Sequence, residues 1–435
     1  MFILDKALQE RANANNPIRV ALVGAGYAGR GIAHQLLTPL TGIRLVAICN
    51  RTTERAERIF AEKQCEPSRR VTTAKQLDEA VEEGIPAVTD DFHIICDADS
   101  IDIVIDATGQ VEYGARLALA VLAGRKHLIL VNAELDATVG PLLKRYADDA
   151  GVVLTNTDGD EPGVANKLYR FVKTIGCRPV MAGNIKGFVD VHRNPDTQRA
   201  FAAQVGQDPT MITSFADGTK LSMECTILAN ATGLTVGQSG MFGHKCEHVK
   251  DVIQHFSPEE LLARPLVDYA LGAQPGTGAF VVGYNDEPLK MEYMRYFKMG
   301  DGPLYVFYTP FHLPHLEIAI TIGRAVLFSD AAVAAIDGPV ADVVAVAKRP
   351  LRAGDLLDGI GGFTCYGRIE NYSDSRSQNA LPMGLSAGCR VIRDVPADAM
   401  LTYDDVEFPE DLTSLALRRE LESIFVPDAA AATAS

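Results

Sequence analysis

Lys186 stands at the end of a mostly apolar run that begins at Pro179, and it follows Gly183 by three residues. An ammonium fixed at a strand end can stabilise and protonate the alkoxide that forms when hydride reaches a carbonyl carbon. Burial would pull its pKa down towards working pH; the alternative is a lysine on a surface loop. Glu134 follows Asn132-Ala133 at another strand end, and Asp160 and Glu161 head the segment Asp160-Glu161-Pro162-Gly163. Glu134 could act at the reacting group or belong to a helix N-cap neighbourhood; Asp160 and Glu161 could bind a substrate hydroxyl, a divalent cation or an ammonium. They could equally serve a helix start, where acidic residues and a first-turn proline are favourable. A third pattern concerns a cofactor. Gly24-Ala25-Gly26-Tyr27-Ala28-Gly29 has the G-x-G-x-x-G spacing of a dinucleotide-binding turn. Gly24 would make the turn, Gly26 would admit a pyrophosphate, and Gly29 would let the next helix close on the strand.

The elements needed to hold these groups are legible. Apolar Val20–Val23 precedes the glycines, a helix follows to about Leu37, and a second strand, Ile43–Cys49, ends in Asn50-Arg51. That end lies where a ribose-reading residue belongs. Asn50 and Arg51 in place of a carboxylate favour NADP over NAD, since a guanidinium suits a 2′-phosphate; Arg51 could instead be solvated or stack on adenine. Further strands at Ile101–Ala107 and His127–Val131 alternate with helices at 52–63, 73–83, 112–123 and 139–150. Alternation of this kind predicts a parallel Rossmann sheet. Ligands bind at the carboxyl ends of such strands, which adds Thr108, Gly109, Asn132 and Ala133 to the cofactor residues.

The fold class is therefore α/β, with a Rossmann domain over 1–155. An α+β catalytic domain follows over 156–335, with strands at Pro179–Lys186, 211–216, around 280–284 and 305–308 and an apolar helix near Pro314–Phe328. A small β-rich domain spans 336–412, and 413–435 form a helix and a fraying tail. Two stretches of the β-rich part echo each other. Val343–Asp355 and Cys389–Val406 both run from an apolar strand through a basic turn to acidic residues.

The chain has 435 residues and a formal charge of −15. That balance argues against nucleic acid or an acidic membrane as the main partner. There is no apolar run long enough to span a membrane, and Met1–Asn16 lacks a signal-peptide core, so a cytoplasmic location is expected. Eight cysteines without C-x-x-C pairs indicate neither a disulfide framework nor a structural zinc site. His244 and His248, spaced i, i+4, could ligate a metal on one helical face, though without H-E-x-x-H. His312 and His315, near prolines, read as structural. His192 and Arg193 could hold a phosphate or carboxylate or lie on a solvated loop. Asn230 and Thr232 are either ligand contacts or a helix-ending cap.

Several ordered stretches carry a resemblance. They are Ala87–Asp91, Ile103–Gly109, Gly159–Pro162, Ala229–Leu234 and the β-rich C-terminal segment. Together they resemble the homoserine-dehydrogenase-like oxidoreductases that end in a SAF domain, the deoxyxylulose-phosphate reductoisomerase-like group among them. The resemblance implies NADP(H), a dimerising catalytic domain and hence a dimer or tetramer. It also implies a small phosphorylated ketose or polyol as substrate, with reductoisomerase chemistry as the narrower form. A homoserine-dehydrogenase-type activity on an amino-acid semialdehyde and a non-catalytic cofactor- or saccharide-binding protein are the alternatives. The chain departs from the pattern at Asp190-Val191-His192-Arg193-Asn194-Pro195. Substrate identity is expected to hinge there.

Overall fold

The structure is a computed structural model that describes residues 2–63 and 67–426. Cys65 and the tail Ala429–Ser435 lie outside the described residues. The chain divides into two compact units. The first runs through Asp136 and adds Leu142–Asp160 and Leu313–Ala334; the second comprises Ala137–Pro141, Glu161–His312 and the chain from Ala335 onward.

The first unit is built on seven strands: β1 Ile18–Val23, β2 Ile43–Cys49, β3 Arg69–Arg70, β4 Ala87–Thr89, β5 Ile103–Asp106, β6 His127–Leu130 and β7 Leu154–Asn156. Their order is β3-β4-β2-β1-β5-β6-β7, with every pair parallel. The chain winds outward from β1 on one side and resumes at β5 on the other. The β1/β5 boundary is therefore the topological switch point, where an open parallel sheet splays and accepts ligands. Strand interiors are near-continuous apolar runs because helices cover both faces. Ile18, Val20, Leu22, Ile103 and Ile105 are all fully buried. The helix Ile318–Phe328, distant in sequence, packs into this same core through Ile318, Ile322 and Ala325. Its apolar faces are satisfied here and not in the middle of the chain.

The second unit holds a five-stranded mixed sheet of β8 Arg178–Lys186, β9 Thr235–Val236, β10 Leu266–Leu271, β11 Ala279–Tyr284 and β12 Leu304–Thr309, in the order β12-β11-β8-β10-β9. Two small antiparallel pairs follow: β13 Ala341–Ala347 with β14 Cys365–Asn371, and β15 Arg390–Val391 with β16 Val406–Glu407. The two echoing stretches bond to each other, Leu351 and Val395 exchanging backbone hydrogen bonds of 2.8 and 3.0 Å. The C-terminal helix Thr413–Ile424 is fastened by Arg418, which is 2% exposed and donates from Nη1 to Asp342 Oδ1 at 3.1 Å and to the Thr138 carbonyl at 3.1 Å.

Several expectations are corrected. Residues 211–216 form not a strand but the helix Pro209–Ala216, started by the Asp208 side chain accepting from Thr210 N–H. The helix Thr219–Thr232, buried at all 14 positions, was not apparent in the sequence. Polar residues such as Lys220, Glu224 and Asn230 are buried in it along with the apolar ones, so it lacks the amphipathic period that marks a surface helix. His244 and His248 do not share a helical face. His248 caps the short 3-10 helix Val249–His255 through Nδ1, and His244 stacks on His255 at 4.2 Å. The seven described cysteines are all buried free thiols. No helix among the described residues is long and apolar enough to cross a membrane.

Candidate active site

At the end of β1 the three glycines do three different jobs. Gly24 has φ +104° and lies so close to β5 that a Cβ would sit 2.8 Å from the Ala107 carbonyl oxygen. A Cβ on Gly29 would fall 2.0 Å from the Gly24 carbonyl oxygen, so the helix Tyr27–Leu36 can approach only without a side chain there. Gly26 is exposed, and a Cβ on it would meet nothing within 4 Å. Packing therefore does not require glycine at 26. Gly26 also caps the helix without any side-chain hydrogen bond, leaving the first-turn amides of Tyr27 and Ala28 for an anion. This cradle fits a dinucleotide pyrophosphate. Tyr27 stands 57% exposed, its ring edge-on to His315 at 6.2 Å.

The neighbouring strand ends support this turn. Asn50 is occupied by it: Oδ1 accepts the Ala25 N–H at 2.9 Å and Nδ2 donates to the Thr52 carbonyl at 2.8 Å. The side chain therefore fixes the glycine turn. Arg51 and Arg55 remain exposed at the end of β2. Thr108 donates to Asp106 Oδ1 through its N–H and hydroxyl at 2.9 and 2.6 Å. Asn132, fully buried, donates to Asp106 Oδ2 at 3.0 Å and accepts from Leu135 N–H at 3.1 Å. Burial pushes the Asp106 carboxyl pKa up, against these hydrogen bonds. Gly109 supplies a left-handed residue at φ +63° after β5. Ala133 and Glu134 are buried, at 0% and 2%. Asn132, Ala133 and Glu134 thus lie inside the unit, shaping the strand ends from within.

The second unit concentrates ionisable groups at the end of β8. Alternation along this strand sends Met181 and Ile185 to one core and Ala182 to the other. Asn184 and Lys186 share the Ala182 face. Gly183 is obligatory, because a Cβ would lie 1.6 Å from the Asp268 carbonyl oxygen on β10. Lys186 Nζ is 2.7 Å from Glu161 Oε1 and 3.2 Å from Glu224 Oε2. Asn184 Nδ2 donates to the same Glu224 oxygen at 2.8 Å. Glu161 opens the helix Glu161–Thr174, and Glu224 rides on the buried helix Thr219–Thr232. The Lys186 side chain is 19% exposed, those of Glu161 and Glu224 6% and 1%. Two buried carboxylates are tolerable only with a cation between them. Burial opposes the lysine charge, but the Glu161 and Glu224 carboxylates outweigh it, and the pKa rises above the ordinary lysine value. The expectation of a lowered pKa is therefore corrected: Lys186 rests as an ammonium, an acid rather than a base.

Two members of this cluster escape a reading of the sequence. Glu224 sits on the helix that was itself missed, and it is the one carboxylate of that helix. His312, assigned to structure by its proline neighbours, places Nε2 at 3.6 Å from Glu161 Oε2. Asp160 directly precedes Glu161 and ends the Leu142–Asp160 segment of the first unit.

Other candidates are occupied by structural tasks. Asn230 Oδ1 accepts the Val340 and Ala341 N–H groups at 2.8 and 3.1 Å, fastening the entry to β13. Thr232 Oγ1 donates to the Leu228 carbonyl at 2.6 Å at its helix end. Neither is the helix-ending cap, which is Gly233 in the left-handed region at φ +78°. In the divergent segment, Asn194 and Pro195 start the helix Pro195–Val205 with a capping box. Asp190 holds Arg193 Nε at 3.0 Å, and the Arg193 guanidinium lies 5.1 Å over the Phe188 ring. His192 is exposed, 3.6 Å from Asp398.

Comparison with known proteins places these features. Residues 159–318, which contain Glu161, Lys186, Glu224 and His312, match the family model described as oxidoreductase DRL, catalytic domain. Residues 6–88, with the glycine turn and Arg51, match that of shikimate / quinate 5-dehydrogenase. No curated protein matches the chain. Among solved structures, a Klebsiella pneumoniae NAD-binding oxidoreductase is 17% identical over 40% of this chain, with a TM-score of 0.30; the chain spans 43% of that protein. A probable dehydrogenase from Thermotoga maritima is 12% identical over 72% of this chain and 90% of its own, with a TM-score of 0.42. The scyllo-inositol dehydrogenase of Lactobacillus casei is 12% identical over 61% and 73%, with a TM-score of 0.37. With oxidoreductase models matched in both units, the chain is an NAD(P)-dependent dehydrogenase or reductase.

Proposed function

We propose that the protein reduces, or in reverse oxidises, a carbonyl carbon of a small polyhydroxylated metabolite, with NADP(H) preferred over NAD(H). The reading rests on Lys186, held charged between Glu161 and Glu224 at the end of β8. The glycine turn at Gly24–Gly29 and the first amides of the following helix would hold the pyrophosphate, with Arg51 beside the 2′-phosphate. Bound there, a nicotinamide dinucleotide supplies or takes the hydride. The ammonium of Lys186 donates a hydrogen bond to the substrate oxygen and transfers its proton as negative charge develops there. Glu161 and Glu224 fix the direction of that ammonium, and Asn184 fixes Glu224.

The cluster of one lysine and two glutamates carries a net negative charge. It favours a neutral carbonyl or hydroxyl at the reacting carbon, so a phosphate or carboxylate on the substrate belongs at its far end. The ammonium already supplies the positive charge that a divalent cation would bring between these carboxylates. Reduction needs only a hydride and a proton, and no carbon-skeleton rearrangement is invoked. The test is fluorescence titration with NADPH and NADH, followed by turnover on a panel of ketose phosphates, polyols and semialdehydes. Tight NADPH binding, turnover of a polyhydroxylated carbonyl compound and its loss in Lys186→Met are expected. Full activity in Lys186→Met would sink the mechanism, and preference for a semialdehyde would sink the substrate class.

A further inference from the structure

A lysine that gives up a proton in each turnover must recover it, and Lys186 lies between carboxylates that are almost wholly shielded. We propose that His312, with Thr277, is the outer end of a proton relay that reaches Lys186 through Glu161. Its use in turnover rests on the carbonyl-reductase reading above; its existence does not.

The two oxygens of Glu161 face different partners. Oε1 accepts from Lys186 Nζ at 2.7 Å, and Oε2 faces His312 Nε2 at 3.6 Å. On the other side of the imidazole, Nδ1 lies 3.1 Å from Thr277 Oγ1. With both ring nitrogens protonated, Nδ1 donates to the Thr277 hydroxyl oxygen and Nε2 presents its proton to the carboxylate. Accessibility rises along the series, from 6% for the Glu161 side chain to 29% for that of His312, ending at the exposed Thr277. The gap of 3.6 Å is an ion-pair distance and longer than a hydrogen bond. A swing of the partly exposed ring, or one bridging water, closes it.

The proton balance is simple. As hydride reaches the carbonyl carbon, one N–H bond of Lys186 breaks and an O–H bond forms on the product, leaving a neutral amine. The His312 imidazolium then releases its Nε2 proton to Glu161 Oε2. The carboxyl group turns and presents that proton to Lys186 Nζ, and His312 takes a proton from water. One proton enters from solvent for each hydride transferred, and every group returns to its starting state.

The test needs no substrate. In full-length protein labelled with 15N-lysine, the Lys186 Nζ signal is identified by its absence from Lys186→Met. The rate at which its protons exchange with water is then measured by saturation transfer. In His312→Gln, a substitution at a partly exposed site, exchange is expected to slow tenfold or more, and added imidazole is expected to restore it. A merely structural histidine would show neither effect. Unchanged exchange in His312→Gln, or slowed exchange that imidazole does not restore, overturns the relay. Slowed and restored exchange in a protein that reduces no carbonyl compound leaves the relay standing and removes the catalytic reading, so the two failures are distinguishable.

Discussion

The end of β1 and the end of β8 are both strand termini that gather candidate functional groups, and they are built by opposite means. The first is made of backbone. Its work is done by side chains that are missing: a left-handed turn at Gly24, a close approach at Gly29 and open space at Gly26. The second is made of side chains recruited from separate elements, with Glu161, Asn184, Lys186, Glu224 and His312 meeting within one unit. A backbone cradle tolerates little addition. A charge cluster tolerates little subtraction, because each member offsets the desolvation of the next.

The largest effect should come from breaking the cluster. Lys186→Met is expected to lower turnover by about a thousandfold while leaving NADPH affinity unchanged, within the range attributable to a positioned proton donor. It also leaves Glu161 and Glu224 facing each other without a cation, at a cost of roughly 3–5 kcal/mol in urea unfolding. The double variant Lys186→Met/Glu224→Gln should regain most of that stability and none of the turnover. A double variant as unstable as the single one would show that the carboxylates are not what Lys186 neutralises.

The cradle is sharpened by two substitutions that look alike in sequence. Gly29→Ala drives a Cβ against the Gly24 carbonyl and should reduce both stability and cofactor binding. Gly26→Ala meets open space, so its thermal midpoint should stay near wild type while NADPH affinity falls about tenfold or more. Equal loss of stability in both would mean that Gly26 is needed for the fold and not for a ligand.

A pH dependence separates the two units further. In the first unit, burial raises the Asp136 carboxyl from its ordinary value to about 7, opposed only in part by a hydrogen bond from Asn156. The folded state therefore holds this proton more tightly than the unfolded chain. Its contribution to stability is fully present below about pH 4 and is lost as pH rises through about 7. The loss is on the order of 4 kcal/mol. Asp136→Asn should flatten this part of the stability profile, measured by urea unfolding between pH 4 and pH 8, and an unchanged slope would assign it elsewhere. Lys186 is raised in the other direction of consequence: its charge persists across the same window and adds no slope there.

The smallest effect concerns cofactor choice. Arg51→Ala should weaken NADPH binding by about tenfold and leave NADH binding nearly unchanged, read by fluorescence titration, as expected for loss of one charge-assisted contact to a 2′-phosphate. Equal weakening of both cofactors would place Arg51 on the adenine instead.

Much of the first unit was legible because its signals are local. Apolar runs mark β1, β2, β5 and β6, and glycine at 24 and 29 marks a turn whose geometry no other residue meets. The support that Asn50 gives to the glycine turn was not legible, since its bond to the Ala25 amide spans 25 residues. Lys186 was legible as a residue at a strand end. Its protonation state was not, because that depends on Glu161 and Glu224, 25 and 38 residues away. The helix that carries Glu224 is buried on all sides and shows no period to read. His312 gained meaning only from the carboxylate opposite it.

The sequence alone determined the alternation of strands and helices, the place of the glycine turn and the candidate acid at Lys186. These follow from short-range rules of backbone conformation and hydrophobic period. The tertiary structure decided which ionisable groups meet, which of them are shielded and therefore which charge each one carries. Electrostatic energy depends on distance and burial in three dimensions, and neither is written in residue spacing.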